Sequence, residues 1–393
     1  MAPPPAAFLP PTAGRGLLLR PAAAALGRLT SAAPPRGLGA WAAAVARRRP
    51  LPLRAPAFAG AGVAVRMAAT ATAGGGAAGG GGGGGTVGFL GLGIMGGPMA
   101  SNLALTAGRR VVVWNRSPAK AEALAAAVAA AAAAGKAADG VTAGEVVVAA
   151  TPAAVIEAAD ITYAMLSTPE AAAAVYGAPA TGALAAVAAG KALVDCSTFD
   201  VATSVATAEA VTSRGGRFLE APVSGSKVPA ETGTLVFLGA GDRSLYDEVA
   251  GDLDAMGKRA FYLGPVGAGT RMKLVVNTTM ITVLSALAEA VALTEATDGP
   301  AAVGDLLDVL GQGAMANPMF ALKGPKMAVG ERAYAANFPL EHAQKDLRFT
   351  LALAEEATVP MPVAAATNAL FVAAKAKGLG RDDFCAVVEA LRP

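Results

Sequence analysis

Histidine is almost missing from this chain of 393 residues: His342 is the only one, and cysteine is limited to Cys196 and Cys385. A single imidazole cannot build a His-cluster metal site, and two distant cysteines without CxxC spacing support neither a disulfide framework nor a cysteine metal site. No metal centre is expected. Ser-His-Asp hydrolysis stays formally open through His342, but acid chemistry falls mainly to lysine or a carboxylate. Acidic side chains are absent before Glu122, while residues 1–66 hold nine arginines among Ala, Pro and Gly. This positive, acid-free composition reads as an organellar transit peptide over residues 1–67, and its Pro-rich start argues against a secretory signal. Residues 68–85, nearly pure Gly and Ala from 73 onward, read as a flexible tether. Without the leader, 23 basic side chains remain against 29 acidic ones, which leaves no basic footprint for nucleic acid. The longest apolar run, Leu274 to Ala288, is too short to span a bilayer and is flanked by Lys273 and Glu289. It reads as a buried core helix, so no membrane partner is expected.

What is present begins with TVGFLGLGIMGGPMASN, where a strand-like run meets Gly91, Gly93 and Gly96 and then a helical pattern. Gly91 permits a tight turn, Gly93 lets backbone approach a pyrophosphate, and Gly96 allows close packing of helix on strand. Phosphates would rest on the helix N-terminus with Leu92, Ile94 and Met95 around them. In a chain with 48 glycines such a match needs context, and the second strand, Arg110 to Trp114, supplies it by completing a βαβ unit. That strand ends in Asn115, Arg116 and Ser117, with no carboxylate for ribose hydroxyls. A guanidinium and two polar side chains suit a 2′-phosphate, pointing to NADPH over NADH, with a plain solvated turn as the other reading.

Further apolar runs at 145–149, 161–166, 192–194, 217–219, 235–239 and 260–263 alternate with helical segments. They imply an α/β fold, a Rossmann-type doubly wound parallel sheet over 86–264. Ser167 and Thr198 stand at the carboxyl ends of two of these runs, where open α/β sheets bind ligands. From 265 to 393 the pattern turns all-helical. A long interdomain helix, 272–296, precedes helices at 301–311, 341–357, 363–375 and 382–391. The apolar interdomain helix suggests a homo-oligomer.

Three segments hold candidate chemistry. Ser224, Gly225 and Ser226 form a small-residue loop whose hydroxyls and N–H groups could hold a carboxylate, or a simple turn. Lys273 and Asn277 lie four apart and share a helix face, although a lysine before an apolar run is usually a snorkelling surface residue. In FPLEHAQKD, Lys345 and Asp346 alone would pass for a solvated helix face.

In their order along the chain, GFLGLGIMG, WNRS, AMLS, DCST, PVSGS, the spaced Lys273 and Asn277, GAMANPMF, LKGPKM, FPLEHAQKD and MPVAAA resemble the β-hydroxyacid dehydrogenase family. The resemblance runs from Val87 nearly to the end of the chain and is nearest to the plant reductases of glyoxylate and succinic semialdehyde. It implies an enzyme that reduces these small aldehydes to glycolate and 4-hydroxybutyrate with NADPH. Lys273 would be the general acid, and Asn277 would orient it or bind substrate. Ser224, Gly225 and Ser226 would hold the substrate carboxylate, with Phe338 and Asp346 lining or bracing the site. Leu166, Ser167, Thr198 and Lys345 match cofactor-contacting positions, and His342 is expected to be structural or to support the site from just behind it. The resemblance also tips the leader's address toward the chloroplast over the mitochondrion. Three departures stand out: the alanine-rich stretch before Glu145 looks like an insertion, Ser167 replaces a common proline, and Ser226 stands where 3-hydroxyisobutyrate enzymes carry glycine. The last disfavours the alternative of an NAD-dependent 3-hydroxyisobutyrate dehydrogenase. A second alternative, a noncatalytic chromatin-associated relative, is disfavoured by the presence of Lys273.

Overall fold

A computed structural model describes residues 85–329 and 334–392, so the leader and all of the tether except Gly85 lie outside the described residues. The sheet begins with β1 (Thr86–Leu90), followed by α1 (Gly96–Leu105), β2 (Arg110–Trp114), α2 (Pro118–Ala133), β3 (Val146–Val148), α3 (Pro152–Ala158) and β4 (Ile161–Ala164). It continues through α4 (Pro169–Gly177), β5 (Ala192–Asp195), α5 (Val201–Thr212), β6 (Arg217–Glu220), β7 (Val223–Ser224), α6 (Lys227–Glu231), β8 (Leu235–Gly241), α7 (Arg243–Glu248), α8 (Ala250–Met256) and β9 (Gly257–Tyr262). The strand order is β3-β2-β1-β4-β5-β6-β8-β7, with β9 beside β8. The chain therefore reverses direction across the sheet between β1 and β4, and in doubly wound folds ligands bind outside the strand ends at such a switch point.

The six strands β1 to β6 pair parallel with one another, whereas β6 and β7 each meet β8 antiparallel. The doubly wound sheet is thus parallel-dominated, with the antiparallel turn confined to one end. Apolar clusters cover both faces. Phe89, Met99, Leu103 and Tyr163 lie on one side and Leu90, Ile156, Tyr176 and Leu193 on the other, as a buried parallel sheet requires.

Beyond the sheet run α9 (Ala268–Asp298), α10 (Ala302–Gln312), α11 (Pro318–Ala328), α12 (Leu340–Glu356) and α13 (Pro362–Ala376). Ile281, Leu284, Leu347 and Phe371 anchor their shared core. At 31 residues α9 far exceeds the apolar run that marks it, and by length and composition alone it could cross a membrane. Half of its most apolar stretch is instead buried inside the protein.

Two helical expectations change. Residues 384–390 wind as a 3-10 helix rather than an α-helix, with Asp383 before them accepting from Cys385 N as well as from Asn337 N and Phe338 N. The α11 helix carries Gly324 and Pro325 in its interior, which disguises its period. Gly324 serves packing there: a Cβ would stand 2.5 Å from a Leu307 methyl on α10.

Helix starts follow a repeated device. Thr151, Thr168 and Asn317 each precede a proline at the first helical position, and each side chain accepts a hydrogen bond from an N–H three residues on. Ser117 also precedes a proline, yet its hydroxyl makes no such bond.

Candidate active site

β1 delivers the chain into Gly91, at φ +92°, whose amide donates to Trp114 O at 3.0 Å. A Cβ on Gly91 would stand 2.4 Å from Met165 O, and one on Gly96 2.0 Å from Gly91 O. The protein's own packing therefore requires both. Gly93 is different, since nothing lies within 4 Å of the position its Cβ would take. The space above it is open for a ligand to approach the backbone. α1 has no acid in its first turn and no side-chain cap from Met95; Gly97 N donates to Gly93 O at 3.2 Å and Pro98 has no N–H, so the dipole and the Gly96 amide are what its start offers an anion. These features fit the pyrophosphate of a dinucleotide. Asn115 sustains the loop from β2: its Oδ1 accepts from Leu92 N at 2.9 Å, and its Nδ2 donates to Ser117 O at 3.0 Å.

A cavity of about 280 Å³ opens beside this loop, bordered by Gly93 to Gly96 on one side and by α9 and α12 on the other. Lys273 and Asn277, one turn apart on α9, are 5% and 4% exposed. Lys273 Nζ donates to Asn277 Oδ1 at 2.6 Å, and Asn277 Nδ2 donates to Asp346 Oδ2 at 2.7 Å. The other carboxylate oxygen of Asp346 takes Lys345 Nζ at 2.9 Å, and Lys345 also donates to Thr198 O at 2.6 Å. Four residues from two helices thus form one chain that ends on the loop after β5. Burial pulls the Lys273 ammonium down to about 8; Asp346 opposes the shift and Lys345 reinforces it. An ammonium with that pKa, at the border of the cavity, is chemically able to give up a proton near neutral pH.

Three buried carboxylates hold the walls. Asp195, at the end of β5, accepts Tyr176 OH at 2.8 Å and Ser197 N at 3.0 Å, and Ser197 Oγ accepts Leu166 N at 2.9 Å. This links the 166–167 and 197–198 loops from behind, and burial pushes the Asp195 carboxyl above its usual range. Glu220, at the end of β6, accepts the amides of Gly267 and Gly269 at 2.7 and 2.8 Å and the Thr270 hydroxyl at 2.8 Å. It therefore caps the helix that carries Lys273. Asp383 accepts both Lys323 Nζ, at 2.7 Å, and Asn337 N, at 2.9 Å. The ion pair is wholly interior, with side chains 4% and 0% exposed, and it fixes the Asn337–Phe338–Pro339 wall of the cavity.

Of the residues singled out in the sequence, Gly93, Ile94, Met95, Gly96, Leu166, Ser167, Thr198, Gly225, Ser226, Lys273, Asn277, Phe338, Lys345 and Asp346 border this one cavity. Gly91 and Leu92 lie behind it as turn and core. Ser224 is outside the lining. It sits in the two-residue strand β7, paired with Val236, and strand alternation presents Val223 to the cavity instead. Asn115 braces the glycine loop, while Arg116 and Ser117 are exposed past the end of β2 and outside the cavity lining.

His342, expected to be structural or to support the site from just behind it, borders the cavity one turn before Lys345 and Asp346, and burial lowers its pKa. Lys120 and Asn337 also border it, and no motif in the sequence marks them. Lys120 could have been found: a cation in the first turn of α2 opposes the helix dipole and calls for another reason to be there.

An open glycine cradle facing a buried lysine at the switch point defines a nucleotide-dependent oxidoreductase. Residues 86–264 match the NAD binding domain of 6-phosphogluconate dehydrogenase, and residues 267–391 match the NAD-binding domain of NADP-dependent 3-hydroxyisobutyrate dehydrogenase. Two Arabidopsis thaliana proteins are similar along most of the chain. Glyoxylate/succinic semialdehyde reductase 1 is 45% identical over 78% of this chain and 98% of its own length. Glyoxylate/succinic semialdehyde reductase 2, chloroplastic, is 44% identical over 78% of this chain and 79% of its own. The solved Mycobacterium tuberculosis 3-hydroxyisobutyrate dehydrogenase with L-serine is 26% identical, with a TM-score of 0.63 over 79% of this chain and 100% of that one. The chain belongs to the β-hydroxyacid dehydrogenase family and is an oxidoreductase with a Rossmann NAD(P)-binding domain.

Proposed function

We propose that this enzyme reduces glyoxylate to glycolate and succinic semialdehyde to 4-hydroxybutyrate with NADPH. The observation that carries the reading is Lys273, a buried ammonium whose hydrogen-bond partner is a neutral amide and whose pKa is drawn down toward physiological pH. Bound dihydronicotinamide would supply the hydride. Lys273 supplies the proton, donating from Nζ to the aldehyde oxygen as negative charge develops there. Asn277 holds Nζ in place, and Asp346 fixes the Asn277 amide so that its oxygen faces the lysine. Gly225, at φ +131°, and Ser226 offer an N–H and a hydroxyl to the substrate carboxylate. Phe338 and Val223 present apolar surface that sheds water from the reacting carbonyl. Support for these two aldehydes comes from the two Arabidopsis relatives, whose names carry the same substrates.

The preference for NADPH rests on Arg116, Ser117 and Lys120 around the start of α2. Ser117 leaves its cap unmade, residues 115–120 hold no acid, and Lys120 sits against the dipole, all of which an anionic 2′-phosphate would satisfy. A steady-state panel of NADPH and NADH with both aldehydes, and of NAD with 3-hydroxyisobutyrate, tests the reading. NADPH with either aldehyde should dominate; preferred oxidation of 3-hydroxyisobutyrate with NAD would overturn it. In the same panel, replacing Arg116 and Lys120 by alanine should raise the KM for NADPH on the order of 10²-fold while moving that for NADH little, since each lost charged contact is worth about 1.5–3 kcal/mol.

Two further readings accompany this one. α9 leaves Met272, Val275 and Leu293 44%, 51% and 66% exposed, which suits burial in a homo-oligomer, and light scattering at the monomer mass would refute it. The arginine-rich leader and the chloroplastic relative support a plastid address, which a fluorescent fusion of residues 1–85 retained in the cytosol would contradict.

A further inference from the structure

Three lysines border the cavity, and they are not equivalent. Lys120 is exposed at the rim. Lys345 is an ion pair with Asp346 and is also bound to Thr198 O. Lys273 is 5% exposed and donates to Asn277 Oδ1. Asp346, the nearest carboxylate in the chain of hydrogen bonds, is already engaged by Lys345 and Asn277. A neutral Lys273 would lose no ion pair. It could keep one N–H on Asn277 and still offer its lone pair to the cavity, which is the arrangement of a nucleophilic amine in a desolvated pocket beside a second cation.

We propose that Lys273 is also a site of covalent imine formation with small carboxylate-bearing aldehydes, so that substrate reversibly blocks the group needed to reduce it. The inference rests on the aldehyde reductase reading above. Nζ adds through its lone pair to the carbonyl carbon, forming a C–N bond as the C=O π pair moves to oxygen. The proton leaving nitrogen is taken up by that oxygen, giving a carbinolamine. The hydroxyl then departs as water with the remaining N–H proton, and C=N replaces C–O. One aldehyde and one amine give one imine and one water, with no oxidant or reductant consumed.

The amine fraction follows the lysine's ionisation near 8 and grows above it. The charged and titratable groups around Lys273 are Lys345, Asp346 and His342 on α12, Lys120 on α2 and Glu220 beneath the start of α9. The first of these to matter is Asp346, whose carboxylate favours the ammonium, and Lys345 counters it. Reduction and imine formation therefore call on opposite protonation states of one nitrogen. Aldehyde should inhibit the enzyme more strongly at alkaline than at neutral pH.

The test uses the full enzyme loaded with NADP⁺, which cannot reduce the aldehyde. Glyoxylate is equilibrated with the enzyme one pH unit below and one above the lysine's pKa of about 8, a brief excess of borohydride then traps the imine present at each pH, and peptide mass spectrometry locates the product. A carboxymethyl group on Lys273 is expected, rising about tenfold between the two pH values, with Lys345 unlabelled and glycolate protecting. Lys273→Arg, which cannot form the imine, should lose the site while surface labelling persists. The same preparation is assayed for reduction of glyoxylate with NADPH. An active enzyme with label scattered over surface lysines and none on Lys273, or with Lys273 labelling that does not rise with pH, overturns the inference alone. An inactive enzyme without Lys273 labelling overturns the functional reading and this inference with it.

Discussion

Lys273→Ala should lower kcat/KM for glyoxylate and for succinic semialdehyde on the order of 10³-fold while leaving NADPH affinity within about twofold. A positioned general acid contributes about 10²–10⁴-fold, and loss of the charge beside a developing alkoxide acts on the same transition state, so the two effects overlap rather than multiply. The wild-type pH profile should carry the same signature. The ammonium form is the active one, and burial sets its pKa at about 8. kcat/KM is therefore flat through neutrality and falls above about 8, by tenfold per pH unit at the limit. Lys345→Met would remove a repelling cation and free Asp346 to act on Lys273 undivided. Both changes favour the ammonium, so the alkaline limb should move to higher pH even as kcat drops. Retained turnover in Lys273→Ala, or a limb that stays in place in Lys345→Met, would deny Lys273 the acid role.

The first half of this site was legible because its demands are local. Gly91 and Gly96 answer to backbone atoms a few residues or one strand away, and their spacing alone announces the turn. Lys273 and Asn277 share a face because helices repeat every 3.6 residues, so their hydrogen bond follows from the interval between them. Asp346 closes the same chain from 69 residues further along, and only likeness to a family marks it in advance. Ser224 shows the opposite limit. It lies in the right motif, but a two-residue strand turns it from the cavity, and no periodicity is visible over so short a span. Asn337 was hidden because the wall it belongs to is folded by Asp383, whose own signal is that of any acid near the end of a chain. In α11 the interior Pro325 and Gly324 break the pattern that would have declared a helix, although the packing against Leu307 needs that glycine.

Glu220→Ala should be the most damaging substitution outside the cavity, lowering stability by about 3–5 kcal/mol and Tm by roughly 5–15 °C. The start of α9 explains why. Its cap position is Gly267, in the left-handed region at φ +93°, with no side chain to satisfy the first amides. Gly269 is pressed so closely on β8 that a Cβ would stand 2.3 Å from Leu238 O, leaving little room for water. Glu220 reaches in from β6 to accept the Gly267 and Gly269 amides, and its second oxygen takes the Thr270 hydroxyl. Its charge also faces the positive end of a 31-residue helix. Alanine would leave these buried donors unpaired and loosen the turn before Lys273, so kcat should fall with stability. Glu220→Gln keeps the shape and one acceptor oxygen but turns an NH₂ toward donors, and should lie between wild type and alanine on both measures. Thermal melts and steady-state kinetics on the pair separate a cap from mere bulk. If both variants melt with the wild type, packing of the α9 face holds the helix and Glu220 does not. If glutamine restores stability but not kcat, the carboxylate's charge, rather than its shape, sets where Lys273 stands.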